Sequence, residues 1–197
     1  MVESSMRKIK RDHPCAFIFD LDGTLLDSLS GIAESMNRVL KENGMPTHPN
    51  DAYRLMVGNG VAQLVERALP ESLRHPGTIH EFITLYRRAY DEMWQYETAP
   101  FPLIPDLLNR LSQQELPFSV LSNKTHEVTC RMVSTLLHQF PFVDVLGQRD
   151  DIPIKPDPSA ALTLSLLMGI EPESTFFVGD SAVDMETARN AGMIPIG

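Results

Sequence analysis

The sequence predicts an α/β fold, in which a doubly wound, Rossmann-like parallel sheet forms the core and an all-helical cap is inserted into it. Three observations indicate this: short apolar runs recur along the chain, helical patterns separate them, and residues 28–99 hold helical patterns without a strand. Near-continuous apolarity within each run, rather than alternation, is typical of strands buried on both faces of a parallel sheet. Strands that alternate with helices in this way build a doubly wound domain.

Five runs are predicted as strands, and four helices are predicted among them. The strands lie at 16–19, 118–121, 142–146, 175–178 and 193–196, and the helices at 105–113, 126–138, 158–168 and 181–191. The third of these helices has Asp157 as its expected N-cap, Pro158 in its first turn and Gly169 after its end, which are residue types favoured at those positions. We therefore expect residues 1–27 and 100–197 to form the core domain.

The segment 28–99 interrupts this alternation and is the predicted cap. It carries three apolar stripes at helical spacing, which begin at Ile32, Val61 and Ile79. Because the segment follows the first strand directly, it is expected to overhang the carboxyl ends of the strands, where open α/β sheets bind ligands. The cap is therefore expected to act as a lid over a site.

Composition excludes several classes of partner. The formal charge of −9, with 43% apolar and 22% charged residues, argues against non-specific binding to nucleic acid or to an anionic membrane. No apolar run reaches the roughly 18–20 residues of a membrane span, and residues 1–13 lack the apolar region of a signal peptide. With Cys15 and Cys130 as the only cysteines, a cytoplasmic protein with reduced thiols is expected. The sequence does not indicate an oligomeric state.

Four aspartates follow two of the apolar runs. Asp20 and Asp22 come directly after the first run, and Asp180 follows the fourth, with Asp184 about one helical turn further on. Two like charges 4 Å apart repel by roughly 4 kcal/mol at an effective dielectric constant of 20, so such a cluster requires a cation. Oxygen ligands without histidine or cysteine favour Mg²⁺, which usually completes its shell with phosphate oxygens and water. The aspartates thus indicate Mg²⁺ and a phosphate substrate.

Complementary groups follow two other runs: Ser122 and Asn123 suit phosphate oxygens, and Lys155 offers a positive charge. Each feature also has a simpler interpretation. The D-x-D-G stretch also occurs in calcium loops, the G-D-S stretch also suits an N-cap, Ser122 and Asn123 also suit a turn, and Lys155 alone suits a solvated surface. All four features, however, occur in order at the ends of apolar runs, which favours one common site.

These stretches resemble a known family. "DLDGTLLDS", "LSNK", "KPDP" and "VGDSAVDMETARNAG" are similar to the four motifs of the haloacid dehalogenase superfamily of phosphohydrolases. The stretch "YRLMVGNGVAQLVERAL" resembles the cap of its phosphoglycolate phosphatases. The resemblance implies a Mg²⁺-dependent phosphatase that hydrolyses a small phosphomonoester, with 2-phosphoglycolate as the best candidate. Members usually continue beyond the stretch matching "MIPIG", so the core is expected to lack a C-terminal segment.

The resemblance also implies roles for the aspartates. Asp20 would be the nucleophile that forms an aspartyl-phosphate, and Asp22 the general acid and then the general base. Mg²⁺ would be held by a carboxylate oxygen of Asp20, the backbone carbonyl of Asp22, and Asp180. Asp184 would hold a water of the metal or support Lys155.

The remaining implied roles concern the phosphoryl group and the substrate. Ser122, Asn123 and Lys155 would bind the transferring phosphoryl group, where relatives often carry threonine at the first of these positions. Gly23 and Thr24 would shape the first phosphate-binding loop. In the cap, Asn59 would face the substrate, and either of two arginines is a candidate for meeting a substrate carboxylate, although a solvated role suits each as well: Arg54 and Arg67.

Other functions stay open at this point. Asp22 argues against a halide-releasing dehalogenase, which would lack the acid. A sugar-phosphate phosphatase or mutase, a pyrophosphatase and a nucleotidase share the expected motifs. A catalytically silent binding or regulatory protein on the same fold is the alternative from a different class.

Overall fold

The computed structural model describes residues 15–197 and confirms the α/β class. Five parallel strands form one sheet in the order β5–β4–β1–β6–β7, and helices cover both of its faces. In chain order the elements are β1 (Ala16–Phe19), β2 (Leu26–Asp27), α1 (Leu29–Glu42), α2 (Val61–Ala68), α3 (Pro76–Met93), β3 (Ala99–Pro100), α4 (Ile104–Gln113), β4 (Phe118–Thr125), α5 (His126–Leu136), β5 (Val145–Gln148), α6 (Ser159–Met168), β6 (Thr175–Val178), α7 (Ala182–Asn190) and β7 (Ile194–Ile196).

The central strand β1 is apolar throughout because both of its faces are covered. Successive side chains of a strand point to opposite faces, and β1 divides its residues accordingly. Ala16 and Ile18 belong to the core cluster that includes residues of α6 and α7, whereas Phe17 and Phe19 pack in the cluster on the other face. This two-sided burial is the physical reason that the run shows no polar alternation.

Several predicted boundaries differ from the structure. β4 continues to Thr125 instead of ending at Leu121, so the polar residues after "FSVL" still lie within the strand. β5 begins at Val145, later than the predicted strand at 142–146. The helix α6 has Pro158 as its N-cap, and the predicted cap Asp157 instead accepts a hydrogen bond from the backbone N–H of Ser159 at 2.9 Å.

The helical segment leaves and re-enters the core at one place. β2 and β3 pair antiparallel, with Leu26 opposite Pro100 and Asp27 opposite Ala99. Between them lie α1, α2 and α3, together with short 3-10 turns at Asn50–Leu55 and Glu71–Leu73. The sequence did not predict β2 or β3, because two residues are too few to show a periodicity. The division into two domains at residues 28 and 99 stays a prediction.

None of the helices among residues 15–197 combines the length and the apolarity that crossing a membrane requires. The cytoplasmic location stays a prediction. The sequence interpretation of residues 1–13 lies outside the described residues.

A close approach between β5 and the start of α5 gives a test of the packing. We expect Gly147→Ala to destabilise the protein by about 1–3 kcal/mol. The added Cβ would lie 2.6 Å from the Cα of His126 and 2.6 Å from the carbonyl oxygen of Lys124, so backbone would have to shift.

Gly77→Ala is the matched control, because nothing lies within 4 Å of a Cβ at that position and alanine favours a helix by up to about 1 kcal/mol over glycine. Urea unfolding measures both changes as shifts of the midpoint at constant m value. Equal stability of the two variants would contradict the tight packing at Gly147.

Candidate active site

The candidate site lies at the carboxyl ends of three adjacent strands. β4, β1 and β6 are neighbours in the sheet and run parallel, so the polar residues that end or follow them meet at one edge. A cavity of about 420 Å³ opens there between the sheet edge and the helical segment. Its lining from the sheet side comprises Asp20, Asp22, Ser122, Asn123, Lys124, Thr125, Val128, Asp180, Ser181, Ala182 and Val183.

Three of the four predicted aspartates form a compact cluster. One carboxylate oxygen from each of Asp20, Asp180 and Asp184 lies within 4.8 Å of the other two. The ammonium group of Lys155 sits between two of them, 2.8 Å from Asp20 Oδ1 and 2.6 Å from Asp184 Oδ1. Lys155 is 4% exposed and Asp184 is fully buried, so both lie behind Asp20 rather than in the cavity lining.

The start of α7 supplies hydrogen-bond partners to the buried carboxylate of Asp184. Ser181 is the N-cap of this helix and accepts from the backbone N–H of Asp184, while the Asp184 carboxylate accepts from the backbone N–H of Ser181. This capping box satisfies two backbone donors of the helix end. It also fixes Asp184 Oδ2, leaving Oδ1 for Lys155. Ser181 is a site residue that the sequence interpretation did not name.

Burial is the main influence on the pKa values of the carboxylates in the cluster. Burial raises the pKa of Asp20 to about 7, against the opposing effect of Lys155. Burial, with the nearby Asp184, also raises the pKa of Asp180. Burial lowers the pKa of Lys155, but Asp20 and Asp184 outweigh it, so the net shift is upward and the ammonium stays charged.

The donor set suits a hard divalent cation. Carboxylate oxygens are the ligands that Mg²⁺ prefers, and no histidine or cysteine belongs to the cluster found among the described residues. Asp180 is held by Thr24, whose Oγ1 donates to Asp180 Oδ1 at 3.3 Å. Gly23 adopts φ +83° beside it, and a Cβ at this position would collide with the Asp180 carboxylate. The loop after β1 thus positions Asp180.

Two N–H groups of the same loop, those of Gly23 and Thr24, do not point to the cavity. The backbone N–H of Gly23 donates to the carbonyl of Leu26 at 2.9 Å, and that of Thr24 points to the carbonyl of Leu21 at 3.4 Å. Neither Gly23 nor Thr24 belongs to the cavity lining. In this structure both residues therefore contact Asp180 and the loop itself rather than a phosphate-sized space.

Asp22 lies apart from the three-aspartate cluster. Its Oδ1 accepts from the hydroxyl of Ser28 at 2.6 Å, and its Oδ2 accepts from the ammonium of Lys124 at 2.7 Å. Sequence reasoning missed Lys124 as a partner, although it follows directly in the stretch "LSNK". Lys124 thus pairs with Asp22, and Lys155 pairs with Asp20 and Asp184.

Ser122 and Asn123 lie together in the lining but differ in what they can offer. The Ser122 hydroxyl oxygen accepts from the backbone N–H of Lys124 at 3.2 Å, which leaves its proton available to a ligand. The Asn123 amide is already used, because Nδ2 donates to the carbonyls of Gly58 and Lys155, each at 3.1 Å, and Oδ1 accepts from the backbone N–H of Lys155. The Asn123 side chain therefore joins three segments instead of pointing at a ligand.

The helical segment supplies the opposite wall. Asn59 lines the cavity, but its Oδ1 accepts from Arg67 at 3.1 Å. Arg67 also donates to the carbonyls of Leu55 and Met56, and Arg54 pairs with Asp51 at 3.3 Å. The remaining wall is mainly apolar and aromatic, and comprises Ile32, Val57, Gly58, Gly60, Val61, Leu64, Tyr86, Arg87 and Tyr90.

The cavity differs in charge from the protein as a whole. The protein has a formal charge of −9, yet the cavity lining has more cationic side chains than carboxylates. The carboxylates are Asp20, Asp22 and Asp180, and the cations are Arg54, Arg67, Arg87 and Lys124. Such a lining can accept an anionic ligand without the cost that the net charge suggests.

Sequence comparison places the chain in a family. A family model described as haloacid dehalogenase-like hydrolase matches residues 17–197. A phosphoglycolate phosphatase of Aquifex aeolicus (strain VF5) is 33% identical over 175 residues, which cover 89% of this chain and 80% of that protein. A phosphoglycolate phosphatase of Pseudomonas putida (strain KT2440) is 35% identical over 193 residues, which cover 93% of this chain and 69% of that protein.

Solved structures share the fold. A haloacid dehalogenase-like family hydrolase from Streptococcus pneumoniae superposes with a TM-score of 0.81 at 28% identity, over 92% of this chain and 83% of that one. CbbY from Rhodobacter sphaeroides, solved in complex with phosphate, has a TM-score of 0.74 at 19% identity, over 91% and 84%, and there the likeness concerns the fold alone. The expected resemblance is confirmed: the chain belongs to the haloacid dehalogenase-like hydrolase family, as a phosphoglycolate phosphatase-like phosphoric monoester hydrolase.

Proposed function

We propose that this protein is a Mg²⁺-dependent phosphatase that hydrolyses a small phosphomonoester through an aspartyl-phosphate intermediate. One observation carries the proposal: Asp20 faces a cavity with cationic side chains while Lys155 and Asp180 approach it from behind and beside. A carboxylate in this position has a route to a phosphorus atom in the cavity and a fixed cation that favours its anionic form. The Asp22 carboxylate lines the same cavity, which supplies a second group for proton transfer.

The reaction would proceed in two displacements at phosphorus. A carboxylate oxygen of Asp20 attacks phosphorus and the bond to the ester oxygen breaks, while Asp22 gives its proton to the leaving alkoxide. Asp22 then takes a proton from water as that water attacks the phosphorus of the aspartyl-phosphate. The bond to Asp20 breaks and inorganic phosphate leaves. After the second displacement, Asp20 is again a free carboxylate and Asp22 again carries a proton.

The chain's other polar groups would position the phosphoryl group. The Ser122 hydroxyl has a proton to donate into the cavity, and Lys155 holds Asp20 in place from behind. Mg²⁺ would be held by Asp20, the backbone carbonyl of Asp22, and Asp180, and would supply positive charge to the phosphoryl oxygens. Asp184 fits the second of its two expected roles, since it contacts Lys155 directly.

The best substrate candidate is 2-phosphoglycolate. The curated relatives at 31–35% identity are named phosphoglycolate phosphatases, and the cavity has cations for a second anionic group. In this proposal residues 28–99 form the cap that closes over the substrate. Sugar phosphates, nucleotides and pyrophosphate are the competing substrates, and a mutase or a silent binding protein is the competing function.

The nucleophile is tested by Asp20→Asn. We expect the variant to lose more than about 10³-fold of the Mg²⁺-dependent hydrolysis of p-nitrophenyl phosphate, because the amide cannot attack phosphorus as a carboxylate does. Asp27→Asn is the matched control, since Asp27 is exposed and lies in β2, which follows the loop after β1. A folded wild-type protein without activity toward any phosphomonoester would overturn the proposal.

A second prediction concerns pH and the metal-free protein. The folded pKa of Asp20, about 7, lies above its ordinary value of 3.8, so the folded state holds this proton more tightly than the unfolded chain does. This group therefore favours folding fully below about pH 4, and the contribution is lost as the pH rises toward 7. In EDTA, the unfolding free energy of Asp20→Asn minus that of wild type should increase from pH 5 to pH 8, as measured by urea unfolding. A constant difference contradicts an ionisable Asp20 buried in this way.

The third prediction concerns the metal. Mg²⁺ at millimolar concentration should raise the unfolding temperature of the wild-type protein at pH 8, because binding to the folded state alone stabilises it. Asp180→Asn should remove most of that shift, whereas Asp150→Asn, which changes an exposed aspartate outside the cavity lining, should keep it. Differential scanning calorimetry with and without Mg²⁺ measures the effect. An undiminished shift in Asp180→Asn contradicts the assigned metal site.

A further inference from the structure

Lys124 is a cation of the cavity to which the proposed reaction assigns no role. It lies near the end of β4, its side chain is only 11% exposed, and it lines the cavity beside Asp20 and Asp22. Surface lysines are usually solvated, so a lysine held this deeply in a ligand cavity requires a reason.

The contacts of the Lys124 ammonium leave part of it open to the cavity. It donates to Asp22 Oδ2 at 2.7 Å, and the ring of Tyr90 lies 4.7 Å from the nitrogen. Tyr86 stacks on Tyr90 at a centroid distance of 5.5 Å and completes an aromatic wall. An ammonium has three N–H donors, and one hydrogen bond and one ring face do not use all of them.

The lining has three other cations, of which Arg87 is exposed on α3 and the two others already have partners. Arg67 is committed to the carbonyls of Leu55 and Met56 and to Asn59. Arg54 pairs with Asp51, and its side chain is 70% exposed. The sequence suggested these two arginines for a substrate carboxylate. In the structure their contacts are instead with residues 51–59 of the helical segment.

We propose that Lys124 binds the carboxylate of the substrate's leaving group and so selects phosphomonoesters whose alcohol carries a carboxylate next to the ester oxygen. This inference rests on the proposed function, because it takes Asp22 as the group that gives a proton to the leaving oxygen. Asp22 must then lie within hydrogen-bond distance of that oxygen in the complex. In a 2-phosphoglycolate-like ester, only one carbon separates that oxygen from the carboxylate carbon.

The position of Lys124 fits this short connection. Its ammonium lies 2.7 Å from Asp22 Oδ2. A substrate whose ester oxygen contacts Asp22 therefore has its own carboxylate within reach of the same lysine. Once Asp22 has given its proton to the leaving oxygen, its carboxylate lies beside the carboxylate of the released alcohol in a partly desolvated cavity, where like charges repel strongly. The ammonium of Lys124 offsets this repulsion.

The test compares two esters in two proteins. 2-Phosphoglycolate carries the carboxylate, and 2-hydroxyethyl phosphate replaces it with a neutral hydroxymethyl group of similar size. We expect wild type to prefer 2-phosphoglycolate in kcat/KM, and Lys124→Met to lower that preference by roughly 10- to 100-fold, the usual effect of a hydrogen bond to a charged group. Any loss that comes from disturbing Asp22 affects both esters and cancels in the ratio.

Two further variants complete the design. Lys124→Arg should retain most of the preference, because it keeps the positive charge. Lys41→Met is the matched control, since Lys41 is an exposed lysine at the end of α1, outside the cavity lining, and it should leave both esters unchanged.

The outcomes separate this inference from the proposed function. A folded wild-type protein that hydrolyses no phosphomonoester, p-nitrophenyl phosphate included, overturns the proposed function and the inference with it. One that hydrolyses p-nitrophenyl phosphate but neither of the two esters overturns the inference alone. A wild type that hydrolyses both esters equally well, or a Lys124→Met variant that loses both in the same proportion, overturns the inference alone. Inhibition of the wild-type protein by glycolate but not by ethylene glycol needs no variant and supports the inference. Equal inhibition by the two contradicts it.

Discussion

The arrangement of the site depends on one buried interaction, the ammonium of Lys155 held between the carboxylates of Asp20 and Asp184. Burying charged groups is costly unless each is paired with good geometry. Here the pairing requires the end of β1, the loop after β5 and the start of α7 to meet at one edge of the sheet. With Asp180 within 4.8 Å of the same oxygens, negative charge remains in excess, and this excess suits a divalent cation.

A second constraint joins this cluster to the helical segment above it. Asn123 uses its whole amide to hold the backbone of Lys155 on one side and the carbonyl of Gly58 on the other. Arg67 in turn donates hydrogen bonds to the carbonyls of Leu55 and Met56 and to the side chain of Asn59. The loop that faces the cavity is therefore tied to the catalytic edge by hydrogen bonds, and its position and that of Lys155 depend on the same side chain.

The net charge of the side chains that line the cavity differs in sign from the net charge of the protein. The protein is acidic overall, with a formal charge of −9, but the cavity gathers arginines from the helical segment and Lys124 from β4. Acidic residues occupy the edge of the sheet, where a metal would neutralise them, and cationic residues occupy the walls, where an anionic substrate would lie. A cavity of this kind attracts small anions even though the whole surface does not.

The sequence by itself determined the fold class, the family and which aspartates lie at the ends of strands. These features follow from local patterns, namely apolar runs of strand length and acidic residues shortly after them. It did not show β2 and β3, which are too short to have a period, or the full length of β4. Only the tertiary structure decided which groups are already engaged, as with the Asn123 amide, and which partner each carboxylate has. Lys124 beside Asp22 spans 102 positions of the chain. No local pattern encodes such a contact, since it arises from the order in which parallel strands pair.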